Sequence, residues 1–325
     1  MKNREPKFSI AVHFIEDGIR SGKFSIGNRI PSVNAMKIRF GLSRSSVLLA
    51  MSELKSRGII EAEPAVGYYV ASDNIRTKHK ILLLFNEFNA FKEDIYNSFI
   101  RSIGDQAQVD IMFHNFNFSV FETLLKNAAG KYTEYVVMPG KFTGIAPLLD
   151  SLGGKVVLVD HFADELKGRY SSVGQDFEED TYNALESSLK SIQKYNNIVL
   201  IQSTQKEPEE RYDGIVHFCQ EFGFYPTHVK SIAGYTPHKG DLFITAEDRE
   251  MVDLIKTASA KGMRPGVDFG IISYNDTPIK EVLCGGISTL STDFSQMGRT
   301  LAELVLEDGI RTVANPCKLI IRMSI

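Results

Sequence analysis

The sequence predicts an α/β protein in two parts: a small helical N-terminal domain closed by a β-hairpin, and a larger domain of two lobes built on doubly wound parallel sheets. Two observations carry the prediction. Roughly the first 70 residues hold capped amphipathic helices and then two short strands about a turn. From residue 79 onward, short apolar runs alternate with helical patterns in two successive series, which means parallel sheets covered on both faces. Charge divides at the same place. Residues 1–78 hold 13 Lys and Arg against 7 Asp and Glu, a balance of +6, and the remainder carries −9. A basic head on an acidic body suits a module that meets phosphate, or else one basic helical face simply turned to solvent.

Each element of the head has a local cause. Over residues 6–22, Ala11, Ile15 and Ile19 recur at i+4 with Ile10 and Phe14 beside them, and Gly22 stops the helix. Asn28-Arg29-Ile30-Pro31 is a turn. Ser32 stands at the cap position of a second helix, 33–40, which Gly41 ends. Ser43 caps a third, 44–57, with Gly58 as its stop. That helix divides into an inward stripe, Val47, Ala50, Met51 and Leu54, and an outward face, Arg44, Ser45, Leu48, Ser52 and Lys55. Two short helices about a glycine-containing turn make a helix-turn-helix, whose second member enters a major groove with its first residues against the bases. Strands 59–63 and 68–70, joined by a hairpin at 64–67, form a wing.

Ile30-Pro31-Ser32, Gly41-Leu42-Ser43-Arg44-Ser45-Ser46-Val47, Leu54 with Gly58-Ile59-Ile60, and Gly67-Tyr68-Tyr69-Val70 together resemble the winged-helix domain of the GntR family over residues 6–72. The resemblance implies DNA contacts at Ser32, Ser43, Arg44, Ser45, Ser46 and Gly67. Arg44 can fork onto guanine O6 and N7, Ser32, Ser43 and Ser46 can bind phosphate oxygens, and a bare Gly67 lets the wing backbone approach the minor groove. Arg44 alone could equally be an exposed helix-start arginine. Two positions depart from the family. Val33-Asn34 replaces an acidic-basic pair, and Leu48 stands where arginine is common. Leu48 is expected either to touch a thymine methyl or to be a peripheral core residue.

The polar stretch 72–78 reads as a linker between the head, 1–71, and the domain 79–325. In that domain strands are expected at 80–85, 109–113, 135–138 and 155–159, with helices at 92–106, 118–129 and 142–152 between them. The second series has helices at 179–194, 208–222 and 249–261 and strands at 198–201, 228–231, 242–245 and 269–273. Lobe 1 is expected over about 79–161 plus 293–311, and lobe 2 over about 162–292 plus 312–325. Ligands of such sheets bind at the carboxyl ends of the strands, so the cleft between lobes is the expected site.

Several runs here resemble the sensor domain of the LacI/GalR family, itself similar to periplasmic sugar-binding proteins. They are Val136-Val137-Met138-Pro139, Val157-Leu158-Val159-Asp160, Ser172-Val173-Gly174-Gln175-Asp176, Ile271-Ile272-Ser273-Tyr274-Asn275-Asp276, Ile287-Ser288-Thr289-Leu290-Ser291-Thr292-Asp293-Phe294 with Met297-Gly298, and the closing Leu319-Ile320-Ile321-Arg322-Met323-Ser324. The resemblance implies a two-lobed periplasmic-binding-protein-like fold. It places ligand contacts at Phe88, Phe91, Glu93, Asp160, His161, Arg211, Glu247, Asp248, Asn275, Asp276 and Phe294. Arg211, Asp160 and Asn275 suit vicinal hydroxyls, and the phenylalanines suit a sugar's C–H face. Plainer readings stand beside these. Asp160 and Asp276 could cap helices, Arg211 could be a helix-surface arginine, and the phenylalanines could be core; His161, next to Asp160, is an added contact at most. Glu247 replaces the family's common asparagine.

No apolar run reaches the roughly 18 residues of a membrane span. Glu5, Glu16 and Asp17 interrupt any leader-like stretch, and three widely spaced cysteines suit a reducing compartment, so a cytoplasmic protein without disulfides is expected. Phosphate-loop, dinucleotide, zinc-protease and nucleophile-elbow motifs are all missing, and seven histidines form no i, i+4 pair. No catalytic residue, metal or cofactor is therefore expected. The reading is a transcription regulator, not an enzyme. It would bind double-stranded operator DNA as a homodimer, with affinity controlled by a monosaccharide; by resemblance this is a pentose or deoxyhexose. The alternatives are a non-sugar effector such as a purine, or a sugar-converting α/β enzyme.

Overall fold

Serine caps and apolar spacing build the head as its sequence requires. The computed structural model describes residues 7–64, 66–75, 78–105, 107–203 and 207–325. The expected helix start at Pro6, wing-tip Ala65, linker residues Arg76 and Thr77, and the expected helix end at Gln106 lie outside them. Helices α1 (Ser9–Arg20), α2 (Val33–Phe40) and α3 (Arg44–Ser56) precede strands β1 (Ile60–Glu63) and β2 (Gly67–Val70). Ala11, Ile15, Ile19, Met36, Val47, Ala50, Met51 and Leu54 meet in one core with Ile59, Ile60 and Val70. Ile10, expected beside the apolar face of α1, is exposed, because the buried face runs through Ala11, Val12, Ile15, Gly18 and Ile19. Strands β1 and β2 pair antiparallel, Ile60 opposite Val70 and Glu63 opposite Gly67.

The chain divides into two compact units, 1–174 with 294–313 and 175–293 with 314–325. Beyond the head, the first unit contains β3 (His79–Phe85), α4 (Ala90–Ile103), β4 (Ala107–Phe113), α5 (Phe118–Ala128), β5 (Glu134–Val137), α6 (Ala146–Asp150), β6 (Lys155–Asp160) and β7 (Ser171–Gly174). Two elements from later in the chain complete it, α12 (Phe294–Leu306) and β13 (Thr312–Ala314). Its sheet runs β13-β7-β6-β5-β3-β4. The unbroken apolar run of β3 follows from burial on both sides. Ile81, Leu83 and Phe85 pack with Phe99 and Leu301 of α4 and α12, and Leu82 and Leu84 with Phe121 and Leu125 of α5.

In the second unit, α7 (Phe177–Ser187), α8 (Leu189–Ile192), β8 (Asn197–Ile201), α9 (Glu210–Phe222), β9 (Tyr225–Val229), β10 (Asp241–Thr245), α10 (Asp248–Ser259), β11 (Gly270–Tyr274), α11 (Pro278–Val282), β12 (Ser288–Thr292) and β14 (Cys317–Ile320) follow in order. The sheet runs β14-β12-β11-β10-β8-β9. All its described pairings are parallel except β12 with β14. Between β12 and β14 the chain passes through α12 and β13, which belong to the first unit, and β14 returns antiparallel at the edge of the sheet.

Four expectations need correction. The helix expected over 142–152 shrinks to α6, because Gly144 takes a left-handed φ of 67° and Pro147 restarts the helix at its first turn. The helix expected over 179–194 breaks at Ser188. There the Ser187 hydroxyl donates back to the Ala184 carbonyl, and the Ser188 amide bonds three residues back to Leu185. The first crossing between units falls after Gly174, not after residue 161, since β7 pairs with β6. Its Ser171 and Ser172 are tied by hydrogen bonds to Gly309, Arg311 and Thr312 rather than by an apolar run. The second unit's sheet is also mixed rather than wholly parallel.

A Cβ on Gly298 of α12 would lie 2.4 Å from the Ile95 carbonyl oxygen of α4. Gly298→Ala should therefore cost about 1–3 kcal/mol in urea unfolding, by overpacking. On α7, burial and then the neighbouring Asp176 push the Asp180 carboxyl from its ordinary 3.8 up to about 6, and its Oδ2 has no hydrogen-bond partner. The folded value is the higher one, so ionisation costs stability, from nothing below pH 3.8 to its full extent above pH 6. Asp180→Asn should stabilise the protein at neutral pH by up to about 3 kcal/mol and have little effect at pH 3.5, as read by paired denaturation curves.

Candidate functional site

The expected DNA face is built on two helix starts. Ser32 Oγ accepts the Ala35 amide at 3.2 Å and Ser43 Oγ the Ser46 amide at 3.1 Å, so both serines cap their helices. The Ser43 hydroxyl also meets those of Ser45 and Ser46 at 2.8 Å each. Three hydroxyls and the free amides of the first turn of α3 thus share one surface, where the helix dipole favours an anion. Arg44 and Ser45 are exposed on it. Leu48 is 39% exposed on the same side, opposite the buried stripe, which removes the core reading. Gly67 opens β2 with φ +148°, and a Cβ there would lie 3.0 Å from Arg29 Nε.

In the first unit, the predicted residues gather at the carboxyl ends of the strands around a lysine that sequence reading passed over. Asn89 caps α4 through the Lys92 amide, and one residue earlier Phe91 stacks on Phe294 with ring centres 5.2 Å apart. Lys92 Nζ donates to Asp160 Oδ2 at 2.6 Å and lies 6.0 Å from the Phe294 ring centre. Both ions are about nine-tenths buried, so removing either partner would strand a charge. Asp160 ends β6 in the left-handed region, φ 75°, and the short 3-10 turn beyond it starts after Ala163, not after Asp160. His161, beside it, is half-buried. Phe88 is exposed and leans edge-on against Phe113, while Glu93 faces solvent in the first turn of α4.

The second unit holds the remaining candidates. Arg211 is buried, not a surface residue. Its guanidinium lies 4.0 Å from the ring centre of Tyr274 and 5.0 Å from that of Phe177. Its NH1 donates to Glu207 and, at 3.4 Å, to Gln202 Oε1, while Nε has no partner. Tyr274 is fixed in turn by a 2.7 Å hydrogen bond between its hydroxyl and that of Thr181. Asn275 follows β11 at φ 61°, with its amide on the Leu290 carbonyl. Asp276 accepts a two-pronged pair from Arg322 at 2.7 and 2.8 Å, which holds its carboxyl below the ordinary range. Thr277, not Asp276, precedes α11. Asp248 binds the buried Lys280 at 2.8 Å, and Lys280 also donates to the Tyr274 and Asn275 carbonyls. Burial holds the Lys280 ammonium below its usual value. Glu247 is exposed just before α10. Thr245 and Ser273, side by side at the ends of β10 and β11, are fully buried with hydroxyls lacking partners.

Sequence reading therefore missed Lys92, Phe177, Tyr274, Lys280 and Arg322. Tyr274 and Arg322 lay inside quoted motifs; the others pair across 32 to 68 residues and left no local signal. Among the described residues, no group of three or more His, Cys, Asp and Glu could hold a metal, and no helix is long and apolar enough to cross a membrane.

Comparison with known proteins divides along the same lines as the fold. Residues 11–70 match the bacterial regulatory proteins of the gntR family, and residues 192–325 match the periplasmic binding protein-like domain. The uncharacterized HTH-type transcriptional regulators YdfD and YcxD of Bacillus subtilis are 37% identical over 68 residues and 33% over 64; each match covers about a fifth of this chain and 14% of the relative's length. The HTH-type transcriptional regulator GalR of Streptococcus thermophilus is 24% identical, over 70% of this chain and 82% of its own. Among solved structures, the transcriptional regulator CelR–cellobiose complex aligns with a TM-score of 0.63 at 17% identity, covering 89% of this chain and 94% of that one. A periplasmic binding protein/LacI transcriptional regulator of Alkaliphilus metalliredigens, complexed with D-xylulofuranose, aligns at 0.61 and 13%, covering 75% and 98%. These relatives and neighbours are transcriptional regulators, not enzymes. The chain thus joins a GntR-type helix-turn-helix head to a periplasmic-binding-protein-like domain with the fold of LacI-family regulators.

Proposed function

We propose that the protein is a transcription regulator whose head binds double-stranded operator DNA and whose affinity for it is set by a small uncharged sugar. For DNA, the supporting observation is the exposed start of α3, where Arg44 and Ser45 stand beside the capped serine cluster on a basic head. Arg44 reads a guanine, Ser32, Ser43, Ser45 and Ser46 take phosphate oxygens, Leu48 meets a thymine methyl, and the wing at Gly67 lies along the backbone. Two heads on a homodimer would read a palindrome.

Charge balance carries the sugar reading. Four cations among or beside the candidate contacts already have a carboxylate: Lys92 has Asp160, Arg211 has Glu207, Lys280 has Asp248 and Arg322 has Asp276. A phosphorylated or acidic effector would find no uncompensated cation among these four. Hydroxyls, by contrast, can bond to ion pairs without disturbing them, and can satisfy Arg211 Nε, Thr245 Oγ1 and Ser273 Oγ. Phe91, Phe294 and Phe88 supply apolar surface, and His161, Glu93, Glu247 and Asn275 are further polar contacts. Sugar binding favours one arrangement of the domain over another, and so changes operator affinity by the difference between its affinities for the two.

Three outcomes are expected. Arg44→Ala should weaken an operator selected from random duplexes by roughly 10- to 100-fold and relax its sequence at one base pair, measured by fluorescence anisotropy. In a thermal-shift panel of neutral monosaccharides, the true effector at about 100 times its Kd should add about 2.7 kcal/mol of stability. A shift with a purine and with none of the sugars would overturn the sugar assignment. Arg211→Ala should abolish that shift and the operator's response to sugar, and leave sugar-free operator binding unchanged.

A further inference from the structure

Resting on the DNA-binding reading above, we infer that Arg29 is the strut that sets the wing before DNA arrives, passing through the space a side chain at 67 would need. The backbone at 27–30 runs along the free edge of β2. Gly27 N donates to the Val70 carbonyl, Val70 N to the Asn28 carbonyl and Ile30 N to the Tyr68 carbonyl, at 2.8 to 3.0 Å, and Arg29 forms a bridge with Tyr69. From this edge the Arg29 side chain reaches the turn of the hairpin, where NH2 donates to the Val66 carbonyl. On the way it occupies the space a side chain at 67 would need, Nε 3.0 Å and NH2 3.2 Å from the would-be Cβ. A two-stranded hairpin is marginal alone, so a third backbone edge and a guanidinium tie matter to its order.

The tie runs through one guanidinium N–H, from NH2 to the Val66 carbonyl. Guanidinium offers Nε and NH2 in a fixed geometry along one edge of the wing, whereas a lysine offers one mobile ammonium. The Arg29 side chain is exposed and its charge stays available to nearby phosphate, but the role assigned here is positioning. Two other accounts of the same residues exist. Gly67 could be bare only so that DNA can come close, and Arg29 could be only a phosphate contact.

A double-mutant cycle in the full-length chain separates them. Arg29→Ala and Gly67→Ala should each weaken operator binding about tenfold, the effect of one hydrogen bond, and the double variant should be no weaker than the worse single one. Arg29→Lys should behave like Arg29→Ala. The slope of log K against log salt should change by well under one contact. Hydrogen exchange over residues 60–70, measured without DNA, should speed up in Arg29→Ala and Arg29→Lys and stay native elsewhere in the head. Additive losses, or rescue by lysine with a slope lower by about one in the alanine variant, would overturn the strut. Unchanged exchange would do the same. If the wild-type chain ignored duplex DNA at low salt, the DNA reading would fall, and exchange alone would still decide whether Arg29 holds the wing.

Discussion

A parallel sheet covered on both faces leaves little room for chemistry except at the ends of its strands. In both units that constraint organises the rest. Ile81 through Phe85 alternate between two cores, and so do Phe243 and Ile244, or Ile271 and Ile272, in the second unit. No polar side chain can enter such a run without an unpaired group in an apolar layer. The polar residues therefore begin where the strands stop: Asp160 at the end of β6, Thr245 at the end of β10, Ser273 and Asn275 about the end of β11. The same apolar pressure explains why the ions at these ends come in pairs. A lysine or aspartate nine-tenths buried is tolerable only when its partner is buried with it.

The head works under a different constraint. It is too small to hold its recognition helix by area alone, so it relies on caps, turns and a few long ties. Arg57 is one such tie. It is buried, bonds Glu16 of α1 at 2.6 Å and Glu53 of α3 at 3.3 Å, and donates to the Ile75 carbonyl at the start of the linker. One guanidinium thereby joins the first helix, the recognition helix and the exit of the domain. The two arginines at 29 and 57 divide the labour: one fixes the wing, the other the base of α3, and both leave the Arg44 surface open.

Legibility in the sequence followed the range of the interaction. Caps at Ser32 and Ser43, stops at Gly41 and Gly58, and the stripe Val47, Ala50, Met51, Leu54 are set within four residues, and their elements stand where periodicity put them. Burial on both faces made most inner strands legible as well. Strands β7 and β13 were not: they are short, partly polar and tied to each other by hydroxyl and backbone bonds, so no apolar run announced them. Of the candidate contacts, residue types and positions were readable, but partners were not. Nothing near Asp160 in sequence points to Lys92, and nothing near Arg211 points to Tyr274, because those pairs exist only once distant loops meet.

Outside glycine, positive backbone φ gathers at the strand ends. The non-glycine residues with positive φ among those described are Asn115, Phe116, Asp160, Asn275 and Cys284. The first four lie within three residues of the carboxyl ends of β4, β6 and β11. Each such residue costs of order 1 kcal/mol or more, and a fold keeps that cost only where its surroundings impose it. Asp and Asn bear the left-handed region better than other types, which suits Asp160 and Asn275. The turn at Asp160 aims its carboxylate back at Lys92, and the turn at Asn275 hands its carbonyl to Lys280. In each unit a strained acidic or amide residue at a strand end thus fixes a buried lysine. Replacing either by alanine would remove the residue type that tolerates the turn together with its side chain, so strain and recognition cannot be separated by that substitution alone. Glycine at 275 would relieve the strain, keep the carbonyl on Lys280 and delete only the amide, and that isolates what the Asn275 side chain contributes to a ligand.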